Sequence, residues 1–354
     1  MSAFIVIFLT VTLGINHFLR ARGHHGPKSD HFNGTHFFNI RDRSRFVNRI
    51  RDKRNNPITA FATFLIKSFD KKVWYTRLLP LGESIPVPRV VGKKIVVTLV
   101  GHSTVLIQTE GLNILTDPVW AKRASPVQFF GPKRFMRPGI FLDDLPKIDF
   151  ILQTHNHYDH MDVKTLRMIS ERDHPVIYTT LGNGDYLRDR AVYGSVEMDW
   201  GDSKSFSDLI SIDCVPAQHF SARALTDRNR TLWGGFVIRT PHGNIYFAGD
   251  SGYGPYIERI KKVYPEGFRL AFLPIGAYEP HVLMGIYHMS PDEAVTIYKE
   301  LKVRHAIPIH FGTFDLALDA QDDPVQRLDE ILAEPDNAEV KFIVLYNGEV
   351  GTVK

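Results

Sequence analysis

Short apolar runs, many of them rich in β-branched residues, recur from Lys94 to the C-terminus, and turn-forming residues separate them. Runs of this kind are typical of β-strands. They predict strands at Ile95–Val100, Val105–Gln108, Asn113–Leu115, Phe150–Gln153, Val176–Tyr178, Ile212–Val215, Trp233–Arg239, Ile245–Phe247, Leu270–Pro274, Ala306–Ile309 and Phe342–Tyr346.

Apolar residues at helical spacing lie between these strands. They predict helices at Val163–Ile169, Tyr256–Val263, Pro291–Leu301 and Val325–Leu332. The third helix has Ser290 as a candidate N-cap and proline at its first position, which is a common way for a helix to begin. Because strands outnumber helices, and strand-rich stretches are twice followed by αβ stretches, we expect an α/β (α+β) fold. The architecture would be an αββα sandwich, two mixed sheets packed face to face with helices outside, in one domain over residues 94–354.

The N-terminus is apolar and uncharged as far as Leu19. As a helix this segment would be ~28 Å long, close to the thickness of the hydrocarbon core of a bilayer. We interpret residues 1–22 as a membrane anchor. A cleaved signal peptide and a buried or surface helix are the alternatives. The signal peptide is disfavoured because no Lys or Arg precedes the apolar run and no clear cleavage site follows it.

A basic stretch follows this apolar segment. Residues 20–55 contain ten Lys or Arg against three acids, whereas the remainder of the chain carries a net charge of −3. The basic run is either a solvated helix face or a surface attracted to anionic lipid headgroups. The positive-inside rule would place the body of the protein in the cytoplasm. Residues 23–93 are expected to form an irregular extension that packs on the body, and the acidic body argues against a nucleic-acid partner.

Three histidines and an aspartate follow the predicted strand Phe150–Gln153 in the sequence THNHYDH, residues 154–160. Alternating residues of an extended chain point to one side, so His155 and His157 would face the same way. Imidazole and carboxylate groups suit Zn²⁺ and related metals. Each of three further candidates comes after a predicted strand: His219, Asp250 and His310. Each alone could be an ordinary polar loop residue, but together they predict a metal site at the strand ends.

Cys214 is the only cysteine of the chain. A disulfide within the chain and a zinc site built from cysteines are therefore excluded. Because Cys214 lies inside a predicted strand, we interpret it as a small buried apolar residue rather than a nucleophile.

Several longer stretches of the sequence accompany these candidates. They are GHSTVLI (101–107), LTDPVW (115–120), RASPVQFFGPKRF (123–135), HNHYDHMD (155–162), LWGGF (232–236), FAGDSGY (247–253), IGAYEP (275–280), HMSPDEA (288–294) and IHFGTF (309–314). With these motifs the chain resembles the metallo-β-lactamase superfamily, and within it the branch of phospholipase D enzymes that hydrolyse N-acylphosphatidylethanolamine. The metal motif is common to the superfamily, whereas RASPVQFFGPKRF and IGAYEP resemble the branch alone.

The resemblance implies two Zn²⁺ ions per chain. One would be bound by His155, His157 and His219, the other by Asp159, His160 and His310, and Asp250 would bridge them. Two cations ~3.5–4 Å apart polarise a phosphoryl oxygen and hold a bridging hydroxide as the nucleophile. The implied reaction is hydrolysis of the phospholipid to an N-acylethanolamine and phosphatidic acid.

The resemblance also implies roles for residues outside the ligand set. Asp117 would act in catalysis by orienting a ligand histidine, or it is only a turn former before Pro118. Tyr158 and His288 would contact the phospholipid headgroup, His288 as a catalytic residue, although His288 could instead belong to the start of the helix at Pro291. Gln128 and Phe129 occupy the segment along which substrate approaches, and Phe129 lacks the hydroxyl that the family often has there.

The sequence departs from the family where mammalian members bind a bile acid. The corresponding positions are Ala222, Thr226 and Asp315, so bile-acid binding is not expected. Other hypotheses are a lactonase or sugar-phosphate hydrolase that acts on a small soluble substrate, a nuclease, and a non-enzymatic membrane scaffold. The motifs shared with the lipid-hydrolysing branch disfavour the lactonase or sugar-phosphate hydrolase. The acidic body disfavours the nuclease, and the complete ligand set disfavours the scaffold. The partners expected are a membrane phospholipid and the membrane surface, and the sequence is compatible with a homodimer.

Overall fold

A computed structural model describes residues 14–40, 73–77 and 85–354. Within these ranges the chain forms thirteen strands. They are β1 (Ile95–Gly101), β2 (Thr104–Thr109), β3 (Leu112–Thr116), β4 (Phe150–Gln153), β5 (Val176–Thr180), β6 (Ser195–Met198), β7 (Ser203–Ser205), β8 (Ser211–Val215), β9 (Gly235–Arg239), β10 (Ile245–Phe247), β11 (Leu270–Pro274), β12 (Ala306–Ile309) and β13 (Val350–Val353).

The strands form two mixed sheets. The first has the order β13-β1-β2-β3-β4-β5-β6, and the second has the order β12-β11-β10-β9-β8-β7. In the first sheet β3 to β6 run parallel to one another, and in the second β10, β11 and β12 do so. Parallel strands need crossover connections, and these bring the ends of several strands to the same edge of each sheet.

Helices cover the outer face of each sheet. In chain order the helices are α1 (Val163–Asp173), α2 (Asn183–Arg188), α3 (Tyr256–Val263), α4 (His281–Met284), α5 (Pro291–Glu300) and α6 (Asp323–Leu332), with 3₁₀ turns at Leu142–Asp144 and Pro335–Asn337. The short helix α4 buries none of its residues and does not contribute to this cover. Residues 14–19 are helical as well. The expected start of α5 is confirmed: Ser290 caps Glu293 N–H, and the Glu293 carboxylate returns to Ser290 N–H.

Three apolar clusters separate the layers. Side chains such as Ile107 of β2 and Phe272 of β11 meet between the sheets. Leu166 of α1 packs on the outer face of the first sheet, and Ile260 of α3 packs on the outer face of the second. Burial of these faces is the main stabilising contribution to the fold. The predicted αββα sandwich of two mixed sheets is confirmed.

One predicted strand is wrong. In Phe342–Tyr346 only Phe342 forms an isolated bridge, with Ala306. The alternating pattern is real, because Phe342, Val344 and Tyr346 pack on the helix side while Ile343 and Leu345 enter the core between the sheets. The run nevertheless forms no ladder, and Val350–Val353 pairs with β1 instead. The prediction also missed two strands at sheet edges: β6, whose alternation of Val196 and Met198 spans only four residues, and β7, whose three residues are polar and exposed.

Within the N-terminal region, the segment around Phe32 and Phe37 packs on the second half of the chain. Phe32 and Phe37 form a buried cluster with Ala217, Leu232 and Trp233. Among residues 14–40, 73–77 and 85–354, no helix is both long and apolar enough to cross a bilayer. Residues 1–13 of the predicted anchor, and the arginine-rich run at 41–54, lie outside the described residues.

Candidate metal centre

The predicted metal ligands lie on loops that leave the ends of four strands, and Asp117, predicted to orient one of them, follows a fifth. Asp117 follows β3, the loop 154–160 follows β4, His219 follows β8, Asp250 follows β10 and His310 follows β12. All of them except His157 and Asp159 are essentially buried. The fold therefore gathers residues that are far apart in the sequence at one edge of the sandwich, as the sequence predicted.

Three imidazoles converge on one point. His157 Nδ1 lies 2.9 Å from His155 Nε2 and 3.1 Å from His219 Nε2. The carboxylate atom Asp250 Oδ2 lies 3.6 Å from His219 Nε2 and 4.0 Å from His155 Nε2. These separations suit donor atoms arranged around a single tetrahedral ion.

A second group of donors lies beside the first. Asp159 Oδ2 is 3.6 Å from His160 Nε2 and 3.4 Å from His310 Nε2. Asp250 Oδ2 is 3.2 and 3.1 Å from the same two nitrogens. One oxygen of Asp250 thus faces both groups, which is the position that a bridging carboxylate requires.

The buried polar atoms of this cluster fit a metal centre. Among the described residues, His160 Nε2, His310 Nε2 and both carboxylate oxygens of Asp250 have no hydrogen-bond partner of acceptable geometry. Leaving such groups unsatisfied in the interior costs about 1–3 kcal/mol each, and more for charged groups. Ligation of cations would satisfy them, and the mixed imidazole and carboxylate set suits zinc and its neighbours.

Hydrogen bonds behind the cluster fix the orientation of the imidazoles. Asp117 Oδ2 is 2.7 Å from His160 Nδ1 and accepts a 2.7 Å bond from Thr154 Oγ1. Thr154 Oγ1 in turn lies 2.9 Å from His155 Nδ1. Asp117 therefore orients one histidine of each group, His160 directly and His155 through Thr154, and leaves each Nε2 facing inward. This arrangement agrees with the orienting role predicted for Asp117.

Burial favours neutral, metal-binding imidazoles in the first group. It lowers the pKa of His155 and His219 well below the usual value, and it lowers the pKa of His157 to about 4. In the second group burial also lowers the pKa of the imidazoles, but the neighbouring carboxylates raise it by more. Asp250 is the largest of these raising influences. The pKa of His160 is therefore well above its usual value, and that of His310 is raised to about 9.

The raised pKa values of His160 and His310 predict that the metal affinity of the second group falls as pH falls. Without a metal, the raised pKa of His310, about 9, keeps that ring protonated at neutral pH. An incoming cation must displace this proton, which costs about tenfold in affinity per pH unit below that pKa for each proton released. Above about pH 9 the competition from His310 disappears. Chelator competition across this range measures the slope, and an affinity independent of pH would contradict the prediction.

His288 lies beside the bridging carboxylate. His288 Nδ1 is 3.8 Å from Asp250 Oδ2, and its ring centroid is 5.1 Å from that of His310. In the described part of the chain its Nδ1 is buried without a hydrogen-bond partner. Burial is the largest influence on its pKa, which is lowered to about 4. Since Ser290 and Glu293 make the cap of α5, the His288 ring is not part of that cap.

The other predicted substrate residues are not among the clustered donors. Tyr158, in the metal loop, donates its hydroxyl proton to Arg223 O at 2.8 Å and lies under the Arg223 guanidinium. Gln128 bonds within its own loop, accepting from Arg123 N at 3.1 Å. Phe129 is 84% exposed. The roles proposed for these three residues remain predictions.

Two buried residues of the site, His102 and Arg223, were not predicted from the sequence. His102, in the turn between β1 and β2, places Nε2 3.2 Å from Asp159 Oδ2. Arg223 donates to the carbonyls of Asn156 and Met161 at 2.9 and 2.7 Å and so supports the metal loop. His102 lies in the noted motif GHSTVLI, but its spacing from the other histidines gave no signal. Arg223 stands in none of the quoted motifs, so the sequence did not distinguish it from other arginines in loops.

Comparisons with known proteins identify the family of the chain. Residues 112–311 match the family described as the β-lactamase superfamily domain. N-acyl-phosphatidylethanolamine-hydrolyzing phospholipase D 1 of Caenorhabditis elegans is 36% identical over 266 residues, which are 72% of this chain and 74% of that protein. The mitochondrial enzyme of the same name from Saccharomyces cerevisiae is 35% identical over 243 residues, 67% of this chain and 51% of that protein.

A solved structure supports the same fold. Igni18, a metallo hydrolase from the archaeon Ignicoccus hospitalis, has a TM-score of 0.55 at 20% identity and covers 74% of this chain and 99% of its own. At this identity the similarity concerns the fold alone. Together with the family match and the relatives, it confirms the resemblance seen in the sequence. The chain belongs to the metallo-β-lactamase superfamily, in the branch that contains these phospholipase D enzymes, and is a metal-dependent hydrolase.

Proposed function

We propose that the chain is a zinc-dependent phospholipase D that hydrolyses N-acylphosphatidylethanolamine-like phospholipids to N-acylethanolamine and phosphatidic acid. The observation that carries this proposal is a groove of about 670 Å³ beside the metal loop, with an amphipathic lining. Its apolar wall includes Phe18, Trp120, Leu142, Met161 and Met168. Its basic side chains are Lys122, Arg123, Lys164, Arg167, Arg190 and Arg223. An anionic amphiphile complements such a lining better than a small neutral substrate does.

The groove reaches the metal loop through two of its residues. Tyr158 and Met161 line the groove and lie within or next to the run that carries His155 to His160. When bound, two Zn²⁺ ions would polarise a phosphoryl oxygen and lower the pKa of a water molecule. The histidines and aspartates of the two groups would hold the ions, and Asp250 would fix their spacing. His288 would contact the phosphodiester from beside Asp250, and the basic rim would attract its charge.

Product analysis with labelled water tests the reaction. Hydrolysis at the distal P–O bond adds the water oxygen to phosphorus and returns a proton to the leaving N-acylethanolamine. Vesicles that contain N-acylphosphatidylethanolamine, incubated in H₂¹⁸O with zinc-loaded protein, should therefore yield ¹⁸O-labelled phosphatidic acid and unlabelled N-acylethanolamine. Elemental analysis of the same preparation should return two zinc ions per chain. Turnover of a lactone or a sugar phosphate without turnover of the lipid would refute the substrate assignment.

We also propose that the protein is held at a membrane through its N-terminal segment, with the catalytic domain facing the cytoplasm. The uncharged residues 1–19 and the basic residues that follow them support this. The full-length protein should then stay with membranes after a high-salt wash, because salt screens charge but leaves apolar insertion intact. A chain that begins at His31 should be more soluble. Release of the full-length protein by salt alone would leave the basic stretch as its only attachment. Sedimentation of the shortened chain also tests the homodimer.

A further inference from the structure

Residues 29–39, here called the N-terminal strap, precede the family match at residues 112–311 and lie across loops of the catalytic domain. Phe32 and Phe37 pack on Leu232 and Trp233. Phe37 N–H donates to the carbonyl of Asn229 at 2.8 Å. The strap is thus held by apolar contacts and by the backbone, and its last residue, Asn39, reaches the metal centre.

The side chain of Asn39 makes two hydrogen bonds to the backbone of one metal residue. Its Nδ2 donates to His219 O at 2.9 Å, and its Oδ1 accepts from His219 N–H at 3.0 Å. The same Oδ1 accepts from Trp233 Nε1 at 3.1 Å. Because His219 is fully buried, both of its backbone groups would lose a necessary partner without this amide.

His219 needs such support because it lies outside regular structure. It is in the loop after β8, where no strand ladder fixes its backbone. Its ring is held at the far side, since Nδ1 lies 2.9 Å from the carbonyl oxygen of Tyr287. The asparagine fixes the backbone and Tyr287 fixes the ring. Together they set the position of Nε2, which lies 3.1 Å from His157 Nδ1.

We propose that Asn39 is a positioning residue of the metal centre, through which the N-terminal strap sets the geometry of His219. The inference rests on the proposed function, since it assumes that His219 binds a metal. Groups that orient a metal ligand from behind typically change metal affinity by about 10–100-fold when they are removed. A strap that only added stability would leave the affinity of the folded protein unchanged.

Metal affinity and melting temperature, measured on the same preparations, separate these roles. Asn39→Ala removes the amide, and Asn39→Leu removes it while nearly keeping the volume. Zinc dissociation constants are measured by competition with a chromophoric chelator, and melting temperatures with and without zinc. We expect affinity for one zinc to fall about 10–100-fold in both variants. The rise in melting temperature on zinc binding should shrink accordingly.

Two further asparagines serve as matched controls. Asn33→Ala removes an oxygen that accepts from Thr35 N–H and His36 N–H inside the strap. Asn337→Ala removes a buried amide that donates to Ile331 O at 2.7 Å. Both should lower the melting temperature without weakening zinc binding.

The outcomes distinguish this inference from the proposed function. Wild-type zinc affinity in both folded Asn39 variants would overturn the positioning role and leave the proposed function intact. The positioning role would also be overturned if Asn33→Ala weakened zinc binding as much as Asn39→Ala, because the effect would then come from the strap as a whole. A wild-type protein that binds no zinc would overturn both. A protein that binds zinc but does not turn over the phospholipid would remove the substrate assignment alone.

Discussion

Asp250→Asn is expected to lower turnover by at least about 10²–10³-fold, comparable to the loss of a preorganised electrostatic group in other enzymes. Asp250 Oδ2 is within 4.0 Å of imidazole nitrogens in both groups of ligands. Replacing one carboxylate oxygen by an amide nitrogen removes the charge that both metal positions share and weakens the bridge between them. The metal content should fall below that of the wild type, and the ions that remain should no longer have the spacing that the reaction requires.

Asp213→Asn is the matched control for this substitution. Asp213 lies in β8, in the same sheet, and its carboxylate accepts from Tyr264 and Arg239 instead of facing the metal cluster. The same chemical change there should lower the free energy of unfolding but leave metal content and turnover per folded molecule near normal. Elemental analysis and vesicle hydrolysis measure both variants. Normal turnover in Asp250→Asn would refute the bridging role.

The sequence was sufficient to predict the fold class and the clustering of these histidines and aspartates, because they come shortly after predicted strands. His155 to His160 are close in the chain and directly follow an apolar strand. Asp250 and His310 also come straight after strands, so the layer architecture carries them to the same edge. The edge strand β6 was missed because its alternation covers only four residues, and β7 was missed because its three residues are exposed and polar. Phe342–Tyr346 was wrongly predicted as a strand because its residues alternate between two apolar clusters, one between the sheets and one under the helices. The run packs in both clusters but has no partner strand.

Contacts across long sequence separations could not be predicted. Asn39 is 180 positions from His219, and His102 comes long before Asp159 in the chain. No periodicity links such pairs, because they meet only once both sheets are formed. Asp117 was predicted as an orienting residue only through the family resemblance. Its hydrogen bonds to Thr154 and towards His160 become visible once β3 and β4 are paired.

His288→Asn is expected to lower phospholipid turnover by about 10²-fold while zinc content stays near normal, because a misplaced phosphodiester loses orientation and charge contacts. The ring borders the predicted ligand set, since His288 Nδ1 is 3.8 Å from Asp250 Oδ2. Zinc loss in this variant would make His288 a metal ligand instead.

Ser290→Ala provides the control that separates the site from the start of α5. It removes the acceptor for Glu293 N–H and should cost about 1 kcal/mol of stability, with unchanged turnover per folded molecule. If His288→Asn behaves in the same way, with a lowered melting temperature and full activity, His288 only supports the helix start. The opposite pattern, with normal melting and zinc content but slow hydrolysis, places His288 on the substrate. Because a phosphodiester gives this residue its proposed role, a loss confined to lipid turnover would also strengthen the lipid assignment.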